Sequence, residues 1–387
     1  MPDLQGLVST IDALERWLRE RDYAGIDPFD GLSGNHIPRA LLQGARTRQA
    51  VVQAAKRSPV DLRPLLGVRP GRMAKAAGLI ASGYARLEEA GWGGPARERA
   101  TGLLEWLQTP FAHGADPRAW GYEFDVQTRW AFYPAGTPNI IVTTFVANAF
   151  LDWHERSEDP AFLAVAKSAA DYLCEVLLVE DRGRSYFAYV PGVTTLIHNA
   201  NLLGCGFVAR VAHVCGDEGL AAIARGAAAV TVEAQDSQGF WPYGEGPHLE
   251  WVDGFHTAYV LGGLYDVWRT TGDDKALASL KKGMSAYIEG LFAQDGVPKY
   301  SSVSLYPVDI HSAASAITVL LRAAEVDERS EGLARRVARW TIANLYDPTG
   351  YFYYQKTRWY TNRIPYVRWS QAHMFAALGA LAAAPRP

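Results

Sequence analysis

A short signature that opens on glycine and closes on an aromatic residue returns through the chain: GRSYF at 183–187, GFWPY at 239–243, GVPKY at 296–300 and GYFYY at 350–354, with a looser copy, GYEF, at 121–124. Its leading glycines recur about every 55 residues, and self-similarity at a fixed period marks an architecture built by stacking one supersecondary unit. Any fold proposed for this chain has to accommodate that period.

After each copy comes a loop and then an apolar helix with a polar first turn: TTFVANAF (143–150), HNANLLGCGFVARVA (198–212), HTAYVLGGLYDV (256–267), HSAASAITVLLRAA (311–324) and SQAHMFAALGALAAA (370–384). The first four are each followed by an amphipathic helix, such as PAFLAVAKSAADYLCEVLL (160–178) or DEGLAAIARGAAAVTVEAQ (217–235), with apolar residues at helical spacing. Breakers such as Ser157-Glu158-Asp159-Pro160 and Thr271-Gly272-Asp273-Asp274 separate the two. The unit is a helical hairpin, and residues 70–110 supply one more. Six hairpins, each burying a face against both neighbours, predict an all-α (α/α)6 toroid with apolar inner and amphipathic outer helices. An open superhelix would leave inner helices such as 311–324 exposed. Residues 1–60 are read as an N-terminal helical extension and 61–387 as the toroid catalytic domain. Within the extension, AGIDPFDGLSGNHIPRALL (24–42) reads as a brace for the outer helices that also contributes to the rim.

Charge narrows the partners. The 38 basic and 41 acidic residues nearly cancel, to a formal −3, with no basic stripe, which argues against nucleic acid. No apolar run approaches the roughly 18 residues of a membrane span, and the first residues lack a basic leader, so a cytoplasmic protein is expected. Cys174, Cys205 and Cys215 are odd in number, lie in apolar, helix-like surroundings and read as buried reduced thiols, not as a disulfide framework or a zinc site. The excess is aromatic, with 12 Trp and 19 Tyr, which suits stacking against sugar rings or polyprenyl chains.

If the inner helices all start at one end of the ring, their polar first turns share one rim. Single Ser, Thr or Asp residues there are first of all N-caps. The group reads differently, because His198, His256 and His311 recur in three successive repeats, two of them just after an aspartate, Asp253 and Asp309. The loops entering the rim carry Arg129 and Tyr133, then Trp241, Tyr243 and Trp251, and finally a long aromatic and basic stretch, 351–373, with Tyr360, Arg363, Tyr366 and Arg368. Two chemistries fit these parts. In one, Arg and Asn side chains hold a uronate carboxylate and a Tyr or His removes the proton from the adjacent carbon; a tyrosine, with its reference pKa of about 10, needs a nearby arginine for that task. In the other, Asp253 and Asp309 act as a glycosidase pair.

The repeat pattern resembles the α/α-toroid, or six-hairpin, superfamily, which includes glycoside hydrolases, polysaccharide lyases, uronyl epimerases and terpene cyclases. Through AGIDPFDGL (24–32), WGYEFDVQTRW (120–130) and WVDGFHTAY (251–259) the chain is similar to bacterial toroid proteins associated with exopolysaccharide biosynthesis. The stretch from Tyr360 to Arg368 is similar in layout to the catalytic domain of glucuronyl carbon-5 epimerases, where such a segment supplies tyrosine acid/base groups; their β-rich front domain has no counterpart here. QDSQGFW (235–241) fits the Gln-x-x-x-Gly-x-Trp repeat motif of triterpene cyclases, which tightens the link between hairpins, whereas their Asp-x-Asp-Asp acid motif is absent.

The expectation is therefore an enzyme without metal or cofactor, acting on an acidic oligo- or polysaccharide by carbon-5 proton abstraction, as epimerase or lyase. Its catalytic candidates are His256, Tyr360, Tyr366, Asp253, Asp309 and His198. Its binding candidates are Arg129, Tyr133, Asn199, Trp241, Tyr243, Trp251, His311, Arg363 and Arg368. A glycoside hydrolase using the two aspartates is the alternative, followed by a non-catalytic glycan-binding module or a polyprenyl or terpene toroid enzyme.

Overall fold

The computed structural model describes residues 4–111 and 118–385. Its helices follow in the order α1 (Leu4–Arg19), α2 (Ala45–Arg57), α3 (Arg63–Leu66), α4 (Ala74–Glu89), α5 (Ala96–Gln108), α6 (Ile140–Ser157), α7 (Pro160–Tyr172), α8 (His198–Cys215), α9 (Glu218–Glu233), α10 (Gly254–Thr271), α11 (Asp274–Gly290), α12 (Ile310–Arg322), α13 (Arg329–Leu345) and α14 (Ala372–Ala383). The even-numbered helices from α4 to α14 pack each on the next, and α14 returns to α4, so the inner ring is closed. Helices α5, α7, α9, α11 and α13 each cover the inner helix that precedes them, and α1 covers α14. The fold is an (α/α)6 toroid.

The layers differ as their sequences require. In α12 every residue from Ile310 to Ile317 is buried, whereas the outer α13 buries only one stripe that includes Leu333, Val337 and Leu345. At one end of the ring the inner and outer helices are joined by tight links of one design. A residue in the left-handed region (Glu158, Gly216 or Gly272) ends the inner helix, and the next residue, Asp159, Asp217 or Asp273, caps the outer one by accepting a backbone N–H.

The repeated glycines have a common task. Gly183, Gly239, Gly296 and Gly350 all have φ between 77° and 104°. At the last three, a Cβ would also meet the following outer helix, at 2.8 Å from Ala286 Cβ of α11, 2.9 Å from Arg336 Cβ of α13 and 2.6 Å from Ala13 O of α1. The signature is thus the point where each hairpin docks on its successor. By that rule α1 is the successor of α13, and its Leu7, Ile11, Leu14 and Leu18 belong to the main hydrophobic core. Residues 4–19, read from sequence as part of an extension, pack as the outer half of the sixth hairpin.

The Gln235 amide ties this joint in one repeat. It donates to Gly239 O and to Ser279 O of α11, both at 3.0 Å, and accepts from Ser279 Oγ, while the Trp241 indole donates to Thr231 O. That is the linking role expected of QDSQGFW. Cys205 is buried and Cys174 half-buried, but Cys215 is exposed, because it ends α8 beside the link at Gly216; all three are free thiols. No helix among the described residues is long and apolar enough to cross a membrane.

Candidate active site

The long connections lie at the opposite end, where the inner helices begin. They carry short antiparallel pairs, among them Val126–Gln127 with Phe132–Tyr133, and a three-stranded ribbon of Val308–Asp309, Gln355–Lys356 and Thr361–Asn362. Together with α2 they surround a cavity of about 700 Å³. Phe29, Gln49, Gln53, Lys56 and Arg57 contribute to its lining, so the first 60 residues form part of the wall.

Asp253 is the N-cap of α10. Its Oδ1 accepts the His256 N–H at 3.0 Å, and its Oδ2 accepts His256 Nδ1 at 2.6 Å and Trp251 Nε1 at 3.1 Å. Burial pushes this carboxyl up, but His256 and the N–H donors outweigh burial and hold it below the usual carboxylate range. A carboxylate can only accept, so the proton of neutral His256 sits on Nδ1 and Nε2 keeps its lone pair. The imidazole lines the cavity, with its ring centroid 3.9 Å from Phe255 and 4.6 Å from Tyr243. Tyr243 stacks on Trp251 at 4.2 Å, and the Arg129 guanidinium lies over the other aromatic partner, Trp251, at 4.7 Å. These residues make a flat-faced wall beside a basic nitrogen.

Asp309 caps α12 in the same way but is otherwise engaged. Its Oδ1 accepts the His311 N–H at 2.8 Å and Trp369 Nε1 at 3.0 Å, and its Oδ2 accepts Gln355 Nε2 at 2.5 Å. Burial raises its pKa. His311 is turned inward and buried: Nδ1 donates to Trp369 O at 3.3 Å, which leaves Nε2 to accept the Tyr259 hydroxyl at 2.5 Å. Burial above all, with the Arg368 cation nearby, holds this imidazole well below its ordinary pKa. The Tyr259 oxygen therefore offers lone pairs to the cavity it lines.

The structure brings His256, Asp253, Asp309, His311, Arg129, Tyr133, Asn199, Tyr243, Trp251 and Arg368 to this cavity. Asn199 is buried and its Oδ1 has no hydrogen-bond partner among the described residues. Arg368 lines the cavity, yet its fork is closed: Nε and Nη2 each donate to the buried Asp27 carboxylate at 2.7 Å. The expected pairing with a substrate carboxylate is thus already made within the protein.

Five candidates are not on the cavity. Tyr366 is fully buried behind it, where its hydroxyl accepts Arg63 Nη1 at 3.0 Å; burial pushes the phenol well up, the opposite of what a base needs. Tyr360 sits at the tip of the ribbon, exposed, its hydroxyl 3.5 Å from Arg57 O. The Arg363 guanidinium lies over the Tyr353 ring at 5.2 Å. His198 is buried against α9, with Nδ1 3.1 Å from Thr231 Oγ1, and burial lowers its pKa to about 4. Trp241 is buried by its bond to Thr231 and touches only a small pocket beside the main one.

Tyr259, Trp369, Lys56 and Lys75 also line the cavity and were not singled out from sequence. Two of them had a signal. Tyr259 follows His256 by three residues, one helical turn, and Lys75 is the second residue of α4, within the same polar first turn that marks the other inner helices. Among the described residues no three His, Cys, Asp or Glu side chains are grouped to hold a metal ion.

The sequence matches no protein-family model and no curated protein. Solved structures of the same ring architecture include the cellobiose 2-epimerase of Bacillus thermoamylovorans B4167, with a TM-score of 0.63 at 13% identity over 80% of this chain and 87% of that one. An unsaturated glucuronyl hydrolase specific for heparin gives 0.60 at 11% over 80% and 85%. A GH76 α-mannanase of Bacteroides thetaiotaomicron gives 0.58 at 13% over 80% and 86%. The likeness is one of fold.

Proposed function

We propose that the protein is a carbohydrate-active enzyme that abstracts the proton next to the carboxylate of a uronate residue, as an epimerase or lyase, with His256 as the base. The observation that carries this reading is the Asp253–His256 pair, which keeps an unpaired Nε2 at the wall of a large aromatic-lined cavity. Such a nitrogen takes a proton, and the adjacent carboxylate stabilises the imidazolium that results. Tyr243 and Trp251 offer ring faces for a sugar, and the Tyr259 oxygen offers an acceptor for a hydroxyl. The fold is shared with enzymes whose names specify a sugar epimerase and a glucuronyl hydrolase, which favours a carbohydrate ligand over a polyprenyl one.

The glycosidase alternative fits less well. Both oxygens of Asp253 and both of Asp309 are occupied by donors, so neither carboxylate is placed to activate water or to protonate a leaving oxygen. The test is incubation in deuterated water with uronate-containing oligosaccharides, read by NMR and mass spectrometry. Deuterium at carbon 5, or an unsaturated sugar end, is the expected result. Shortened chains without either would move the assignment to the aspartates, and bound but unchanged glycan would make this a binding module.

A further inference from the structure

Lys75 is only 3% exposed, at the second position of α4, yet it lines the cavity and makes no hydrogen bond or ion pair among the described residues. This is an adverse place for a cation. The amine is taken out of water at the positive end of a helix, whose first N–H, that of Ala74, is capped by Glu123 Oε1 at 2.6 Å. Among the groups around it only Asp27 favours the charged form, and its carboxylate is already taken. Arg368 faces it already paired with Asp27, and Tyr259, His311 and His373 are uncharged or hold no negative charge to share. Burial first, then Arg368, lowers the Lys75 pKa well below that of a free lysine, against a weaker opposing pull from Asp27.

We infer that Lys75 is the anchor for the anionic group of the ligand, a sugar carboxylate, and that it takes up one proton from solvent as that anion binds. The walls favour the charged form once it is matched, because the amine lies 4.1 Å from the centroid of Phe145 and 5.7 Å from that of Tyr259, and aromatic faces attract cations. What the site lacks is a counter-ion. Asp27, Asp253 and Asp309 are each committed to donors of their own, so the anion has to arrive with the ligand. The inference rests on the acidic-sugar reading above and assigns the carboxylate-holding role to Lys75 in place of Arg368. An ammonium there would also stabilise the charge that develops on the carboxylate when the neighbouring carbon loses its proton.

The test is calorimetric titration of the full chain with glucuronate and with glucose, in two buffers of different ionisation enthalpy, beside Lys75→Met. Expected is net proton uptake when glucuronate binds. In Lys75→Met that uptake should vanish and glucuronate should bind roughly 10- to 100-fold more weakly, the loss of a charge-assisted contact, while glucose binding is unchanged. The variant should melt no lower than the natural protein, since it removes an unpaired buried amine. Absence of proton uptake, its survival in Lys75→Met, or no glucuronate binding at all would overturn the assignment. So would a borohydride-trapped adduct on Lys75, which would make the lysine an imine-forming nucleophile. Proton uptake without deuterium exchange at carbon 5 would leave the anchor standing and remove the proton-abstraction reading; exchange that persists in Lys75→Met without uptake would do the reverse.

Discussion

The starts of α10 and α12 are built from the same parts and do different things. Each is capped by an aspartate and each has a histidine in its first turn, but the histidine stands three residues after the cap in α10 and two after it in α12. One residue turns a helix by about 100°. At three, the His256 ring comes back to the cap's own carboxylate and keeps one edge at the cavity. At two, the His311 ring lies buried in the cavity wall with both ring nitrogens engaged, by Tyr259 and Trp369, and its carboxylate neighbour is taken by Gln355 and Trp369 instead. In α8 the histidine is the first helical residue and faces α9. Residues that look equivalent in a repeat can thus point in three directions.

That contrast is open to direct attack. His256→Ala should lower turnover of a uronate glycan by about 10²- to 10⁴-fold with the helical circular-dichroism spectrum intact; full turnover in this variant would end the assignment of the base. Asp253→Asn keeps a good N-cap but turns an N–H toward His256 Nδ1, which would move the ring proton to Nε2, so a loss of roughly 10²-fold or more is expected at unchanged melting temperature. The inward histidines should report in stability instead. With the folded pKa of His198 lowered from 6.5 to about 4, its stabilising contribution is complete above pH 6.5 and is lost as pH falls toward 4, an effect on the order of 3 kcal/mol. Thermal melts of His198→Gln across that window should fall less steeply than those of the natural protein; parallel curves would contradict the buried, neutral imidazole.

Smaller effects are expected at the C-terminal tyrosines. Tyr366→Phe removes one acceptor from Arg63, which keeps Asp30 and Asp61, and should cost about 1 kcal/mol of stability in denaturant melts. Tyr360→Phe should change stability by no more than about 0.5 kcal/mol, and both variants should keep turnover within a few-fold. A large kinetic loss in either would bring the ribbon back into the chemistry.

The ring was legible in the sequence because a period of glycine signatures and two kinds of helix are one-dimensional signals. The rim was legible too, since it follows from helices that all start at one end. What could not be read was the direction of each side chain within a turn and the partners it meets. The stretch 351–373 is dense in Tyr and Arg and so resembles a catalytic wall, yet its polar groups are engaged by residues more than 300 positions earlier, Arg368 by the Asp27 carboxylate and the Tyr366 hydroxyl by Arg63. Lys75 lay hidden for the converse reason. Alone in an apolar helix it looks like a surface residue, and only the closed ring shows that water has been removed from around it.

The pairing of α1 with α14 sets an order on how the protein comes into being. Five hairpins join segments close in sequence and can form as soon as those segments are made, but α1 has to wait for α14, which lies at the far end of the ring in sequence. Until then the growing chain is an open arc with an unmatched apolar edge at each end, where it is most exposed to a chaperone or to a neighbouring copy; the contact of Gly350 with Ala13 is the latch that ends that exposure.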